Sequence, residues 1–361
     1  MKIKCDAQRL RKATSIIGKG NGSHVSPTQH MFLEASDIAV AKGSAESKIV
    51  CNLKAEIEER GEVLIPILQL HRFLRRDMGM VTISAVEKPD KYIVTLSEQN
   101  NGDSKMVFSR LRTDESFPIP RCDMDAIQLD KKFTENLAKV LTTASPDKTR
   151  PILNGVLAKF EGQKLYLVSS DGFRLTRIQM PTDTDAERSF TIPTKSARLI
   201  SKYLGSKVGI RFNGEEVWFE EDGVSIIVPP IKGEFPEFTS KIPSPKYAWR
   251  FTVSASLLKE RLSQFQPDSE ITRIMVKDQS LKILMESDED GTFETTIPAK
   301  IEKGELKLET RRIAVNRTYL QEYAEMFEEI TCEIRDELSQ IRIHGKPENI
   351  LGILMPMFVP W

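Results

Sequence analysis

Fifteen basic side chains stand on five short segments of a chain that is neutral overall. They are Arg9, Arg11, Lys12 and Lys19; Arg72, Arg75 and Arg76; Lys131, Lys132 and Lys139; Lys195, Arg198 and Lys202; and Lys259 and Arg261. Against them the same segments hold only Asp6, Asp77, Asp130, Glu135 and Glu260. The 361 residues include 52 Lys and Arg and 52 Asp and Glu, so the segments carry +10 and the remainder −10. Such groups bind polyanions, because each cation placed on a phosphate releases a condensed counterion. The five segments are poor in the Asn and Gln that read base edges, with Gln8 and Gln69 the main exceptions outside the third domain. The expected binding is therefore independent of sequence. One basic helix face is ordinarily a solvated surface; five at one spacing fit that explanation less well.

Other chemistry finds little support. Cys5, Cys51, Cys122 and Cys332 form no CxxC pair, and the histidines at 24, 30, 71 and 344 have no zinc spacing. Reduced, mostly buried thiols are expected. Gly18-Lys19-Gly20-Asn21-Gly22 lacks the spacing of a phosphate-cradling P-loop and follows a helix instead of preceding one. It reads as a helix stop and a loop that brings His24 near the polyanion. Asp288, Asp290 and Gly291 lack the spacing of a calcium loop. No nucleophile motif of the Gly-x-Ser-x-Gly type occurs. No catalytic residue, metal or cofactor is expected.

The elements that position the basic groups recur. Six helical segments begin near Asp6, Pro66, Asp130, Thr194, Ser254 and Asn316, in steps of 60 to 64 residues. Apolar stripes fix their buried faces, as in Phe133, Leu137, Val140 and Leu141, or Leu257, Leu258, Leu262 and Phe265. The sixth segment breaks the charge rule, with Arg317 against Glu322, Glu325, Glu328 and Glu329. Between the helices lie strands at Tyr92–Leu96, Leu165–Ser169, Ser225–Val228, Leu281–Met285 and Ile341–His344, with Asp-Gly and Asn-Gly turns. Each unit is one helix plus three or four antiparallel strands. Pairs of units give three similar α+β domains, at 1–125, 126–246 and 247–361, with proline-bearing joints at 117–120 and 235–245. No run of apolar residues reaches membrane-spanning length, and the N-terminus reads as a first strand, so a cytoplasmic protein is expected.

Several motifs resemble the bacterial DNA polymerase III beta subunit, the sliding clamp. They are Arg150-Pro151-Ile152-Leu153-Asn154-Gly155-Val156-Leu157, Ser169-Ser170-Asp171-Gly172-Phe173-Arg174-Leu175-Thr176, Ile192-Pro193-Thr194-Lys195, Gly233-Glu234-Phe235-Pro236 and Met355-Pro356-Met357. Their order holds over the whole chain. The resemblance implies the DNA clamp fold: three domains of two helices backed by antiparallel sheets, a six-fold repeat per chain, closed as a head-to-tail ring homodimer. It also implies duplex DNA in the ring, with DNA polymerase III alpha subunit, the clamp loader complex, and other polymerases and repair proteins as partners. The family's partner-peptide pocket falls here on Leu153, Ser170, Gly172, Phe173, Arg174, Leu175, Pro236, Ile353, Met355, Pro356 and Met357. The DNA surface comprises the basic residues of the first four segments with His24, Lys148 and Arg150. This chain departs from the family pattern at Phe173, at Ser240 and Lys241, and in its apolar ending Phe358-Val359-Pro360-Trp361. It matches poorly between His24 and Lys54.

Two residue-level readings accompany the resemblance. Leu351 to Trp361 contain no charged side chain, which suits a docking surface, and methionines adapt to varied apolar partners. For the dimer contact, the expected pieces are a strand with Met106, Phe108 and Leu111 and the helix end at Phe265, since an exposed edge strand is silenced by pairing. The competing classes are a base-reading regulator, which needs a recognition helix, and an enzyme on a phosphorylated substrate, which needs a metal cluster or activated nucleophile.

Overall fold

In the computed structural model, residues 1–20, 30–44, 47–74, 78–89, 91–98, 102–109, 122, 124–265, 270–289, 291–306, 308 and 311–361 are described. Among these residues six α-helices each follow on a strand, five directly and α3 after one residue: α1 (Ala7–Gly20), α2 (Ile67–Phe73), α3 (Lys132–Val140), α4 (Thr194–Tyr203), α5 (Ala255–Ser263) and α6 (Arg317–Ala324). The strand-to-helix switch has a local cause. The Asp6 carboxylate accepts from the Arg9 amide at 2.9 Å. The Ser254 and Asn316 side chains accept from the amides of Leu257 and Tyr319. Each such cap contributes about 1 kcal/mol. At α2 and α4 a proline, Pro66 or Pro193, ends the strand with its φ already near the helical value.

The chain divides into two compact units, each built from two stretches of sequence. The first holds residues 1–135 and 192–230, the second 136–191 and 231–361. In the first unit, strands Lys48–Asn52 and Val224–Val228 pair antiparallel, with Ile49 opposite Ile226, inside an eight-stranded sheet. Ser47 and Ser196 hydroxyls meet at 2.7 Å beside this seam, and Lys48 pairs with Glu216 at 2.9 Å. A five-stranded sheet completes the unit and ends on Gly102–Ser109.

The second unit repeats the device. Strand Arg174–Pro181 pairs with Ile350–Leu354, with Leu175 opposite Ile353, inside a nine-stranded sheet. A four-stranded sheet ends on Gly291–Pro298. Each long sheet thus joins strands from both sides of a joint expected from the sequence. The five strands expected between the helices each lie within an observed strand. Cys5, Cys51 and Cys332 are buried, and burial pushes the Cys5 and Cys51 thiols up to about 12. No described helix is long and apolar enough to cross a membrane.

Candidate nucleic-acid interface and docking pocket

In the first unit, α1 packs on α2 and α4. Leu10, Ala13, Ile16 and Ile17 turn inward, and the opposite face presents Lys12 and Lys19 to solvent. Lys195, Arg198 and Lys202 on α4, Arg72 on α2, and Lys131 and Lys132 are likewise exposed. Lys19 and Lys202 face each other closely enough that Lys202 lowers the Lys19 pKa.

Not every basic residue stands open. Arg11 donates to the carbonyls of His71, at 3.4 Å, and Leu74, and so caps the end of α2. Arg9 lies 3.5 Å from Asp222, which also takes Lys54 at 2.8 Å. Lys54 first and Arg9 second hold the Asp222 carboxyl below its usual range. Lys131 pairs with Glu135 at 3.4 Å. In the second unit Lys139 is half-buried and Lys148 exposed. Arg150 reaches Asp147 at 3.1 Å and the Asp171 carbonyl at 3.3 Å, beside the pocket loop. His24, Arg75, Arg76 and Leu111 lie outside the described residues.

Of the expected pocket residues, Ser170, Gly172, Phe173 and Arg174 lie on one turn. Asp171 Oδ1 accepts the amides of Phe173, at 2.9 Å, and Arg174, at 3.0 Å. Ser170 Oγ accepts the Gly172 amide at 3.1 Å and donates to the Arg174 carbonyl at 2.7 Å. Gly172 sits at φ +98, where a side chain is strained, and a Cβ there would meet Arg150 Nη1 at 3.0 Å. The turn thrusts Phe173 outward, 61% exposed. Beneath it Leu157, Val168, Leu175, Phe238 and Ile353 form an apolar floor, flanked by Tyr166, Phe235 and Ile242. Leu153 is buried, Pro236 and Met355 are exposed, and Pro356 and Met357 are half-buried. The Tyr323 hydroxyl lies 2.8 Å from the Leu175 carbonyl and 3.0 Å from that of Ile353, bridging the two paired strands. Gly352 leaves room for that ring, since a Cβ would lie 2.5 Å from Tyr323 Cε1.

The acidic sixth helix has a structural explanation that its composition concealed. Glu322 binds the Arg174 guanidinium, which also takes Asp171 at 2.9 Å and the Thr142 carbonyl at 2.8 Å and stacks 4.0 Å from the Tyr319 ring. Burial opposes the charge on Arg174, but Glu322 and Asp171 outweigh it and hold the guanidinium protonated. Glu325 pairs with Lys259 of α5 at 2.7 Å. Two of the four carboxylates therefore serve partners within the unit.

The strand bearing Met106 and Phe108 is a sheet edge in the first unit, with Val107 56% exposed. Phe265 stacks on Phe293 at 5.6 Å in the second unit, against the edge strand Gly291–Pro298. The sequence reading did not single out this second edge. Its alternation was visible, but edge position depends on which strands pair, and pairing is non-local. Among the described residues no group of three or more His, Cys, Asp or Glu is placed to hold a metal.

Comparison with known proteins agrees with the resemblance. Residues 128–237 match the family model for the central domain of the DNA polymerase III beta subunit. The beta sliding clamp of Borreliella burgdorferi is 26% identical over 238 residues, which take in 63% of this chain and 60% of that protein. The beta sliding clamp of Treponema pallidum is 23% identical over 99% of both chains. The crystal structure of the DNA polymerase sliding clamp from Bacillus subtilis superposes with a TM-score of 0.86 over the full length of both chains, at 21% identity.

Proposed function

We propose that this chain, which carries the DNA polymerase III beta subunit fold over its whole length and that family's sequence over residues 128–237, is a sliding clamp. It is a non-catalytic processivity factor that encircles duplex DNA without reading its sequence and tethers the replicative polymerase. The observation that carries this reading is the whole-length match of a six-times-repeated strand–helix unit to solved clamps. The exposed cations of α1, α2 and α4 and of Lys131 and Lys132 support DNA contact, and the closeness of Lys19 and Lys202 supports it further.

The functional division is three domains, 1–125, 126–246 and 247–361, with each long sheet sealing one joint. The third joint lies between subunits. There the edge strand Gly102–Ser109 of one protomer pairs with Gly291–Pro298 of the next, beside Phe265, and two such head-to-tail contacts close a homodimeric ring. The turn at Asp171–Arg174 and the floor at Leu175 and Ile353 receive peptides of the polymerase III alpha subunit, the clamp loader, and other polymerases and repair proteins. Arg150, expected on the DNA surface, also contacts the Asp171 carbonyl of this turn. The setting is the cytoplasm.

Primer extension on a singly primed circular template tests the reading. With a clamp loader present, the protein should lengthen the products of a bacterial replicative polymerase many-fold. Products of unchanged length would argue against it.

A further inference from the structure

One face of the nine-stranded sheet continues past the apolar floor into a charged row. Leu175, Arg177 and Gln179 share one side of strand Arg174–Pro181, with Val168 opposite Arg177 in one neighbour and Leu351 in the other. Arg177 also lies over the ring of Tyr166, 5.7 Å from its centroid, and Tyr166 packs against the floor. Next in the row, Arg342 and His344 bind the buried Glu333, at 2.8 and 3.0 Å, and Arg250 lies 3.6 Å from it. Glu333 is thus fully engaged. Among the described residues no carboxylate lies within ion-pair distance of Arg177, and its buried Nε has no hydrogen-bond partner. Burial and the neighbouring Arg342 both weaken the hold of Arg177 on its proton, while Tyr166 strengthens it. A half-buried guanidinium beside a second cation, at the lip of an apolar pocket, is complementary to an anion.

We infer that Arg177 is a specificity residue of the docking pocket that selects peptides bearing a carboxylate side chain about two positions from their apolar anchor. This rests on the pocket reading above. The spacing follows from geometry: two residues along an extended strand cover about 7 Å, and Arg177 stands two residues beyond Leu175. Apolar anchors give the peptide its affinity, and Arg177 discriminates among anchored peptides by charge.

The test uses the full-length protein and fluorescein-labelled eight-residue peptides with a leucine–phenylalanine anchor. Each carries either aspartate or asparagine two residues before or two residues after the anchor. Anisotropy titration should give one aspartate peptide about fivefold tighter than its asparagine twin, as for a partly shielded ion pair. The preference should vanish in R177Q, persist in part in R177K, and shrink with added salt, while the asparagine peptide binds R177Q and the unaltered protein alike. Equal binding of both twins to the unaltered protein, with binding of both lost in L175E whose circular dichroism is that of the unaltered protein, would overturn the role of Arg177 and leave the pocket standing. No binding of any peptide would overturn the pocket and this inference together.

Discussion

The amide of Met355 donates to the carbonyl of Phe173 at 2.9 Å, tying the C-terminal segment to the Asp171–Arg174 turn. Two residues on, the Met357 amide donates to the Ala314 carbonyl at 2.8 Å, Val359 is buried, and Trp361 stacks on Arg312 with 4.7 Å between guanidinium and ring centre. The apolar ending is therefore fastened at both its start and its end.

Deleting Met355–Trp361 should abolish binding of polymerase-derived peptides and leave the oligomeric state unchanged. Loss of the Val359 anchor should also lower stability by about 2 kcal/mol. Peptide affinity by calorimetry and mass by light scattering read both outcomes. A truncated protein that binds peptides normally would remove these residues from the pocket.

Arg174 is 7% exposed and holds two carboxylates and a carbonyl. Arg174→Ala strands Asp171 and Glu322 without their shared cation, so it should cost about 3 kcal/mol. Arg174→Met combined with Glu322→Gln should recover part of the loss, because it removes charge on both sides. Thermal unfolding of the parent and the two variants checks the order. A single Arg174→Ala variant as stable as the parent would contradict the network.

Lys195→Glu with Lys202→Glu should weaken clamp loading and direct DNA contact without unfolding the chain. The Lys19–Lys202 repulsion adds a titration signature. Lys19 holds its proton less tightly folded than unfolded, so the repulsion opposes folding while both groups are charged and fades as pH rises through the lowered Lys19 value. Lys202→Gln should therefore raise the Lys19 pKa while weakening DNA contact. NMR titration of methylated lysines measures the shift. An unmoved Lys19 would mean the two ammonium groups do not face each other.

Glu333 gives the protein an acid-sensitive contact. Burial works to raise its pKa, but His344 and Arg342 outweigh it and hold the carboxyl below the ordinary glutamate value of 4.5. A depressed folded value stabilises above the unfolded pKa and is lost as pH falls through the folded one. The gap in melting temperature between the parent and Glu333→Gln should be full at pH 6 and narrow below about pH 4.5. A gap unchanged at pH 3.5 would contradict the assignment.

All six helices were legible because their signals are local. A cap or a proline at the junction and an apolar stripe fix each one, and Ser254, Asn316 and Pro193 stand where the sequence places them. The two sheet seams were not legible. Ile49 opposite Ile226 and Leu175 opposite Ile353 are pairings between residues more than a hundred positions apart, and β-branched runs do not specify their distant partner. The site divided in the same way. The turn at Asp171–Arg174 was readable from its motif, whereas the engagement of Arg11 with α2 and of Arg150 with the pocket loop depends on what folding brings beside them. The acid-rich α6 stood apart from the basic helices because Arg174 and Lys259, the partners of Glu322 and Glu325, lie in other segments.

Topological retention tests the clamp reading most directly. The protein is loaded on nicked circular DNA with a clamp loader, the salt is raised, and half the sample is linearised. An encircling ring stays on circles at high salt and slides off linear DNA. A protein held only by phosphate contacts leaves both alike as salt rises. Retention on circles with loss from linear molecules is the predicted result. Equal loss from both, with a loader of demonstrated activity, would contradict the ring and leave an ordinary surface binder of DNA.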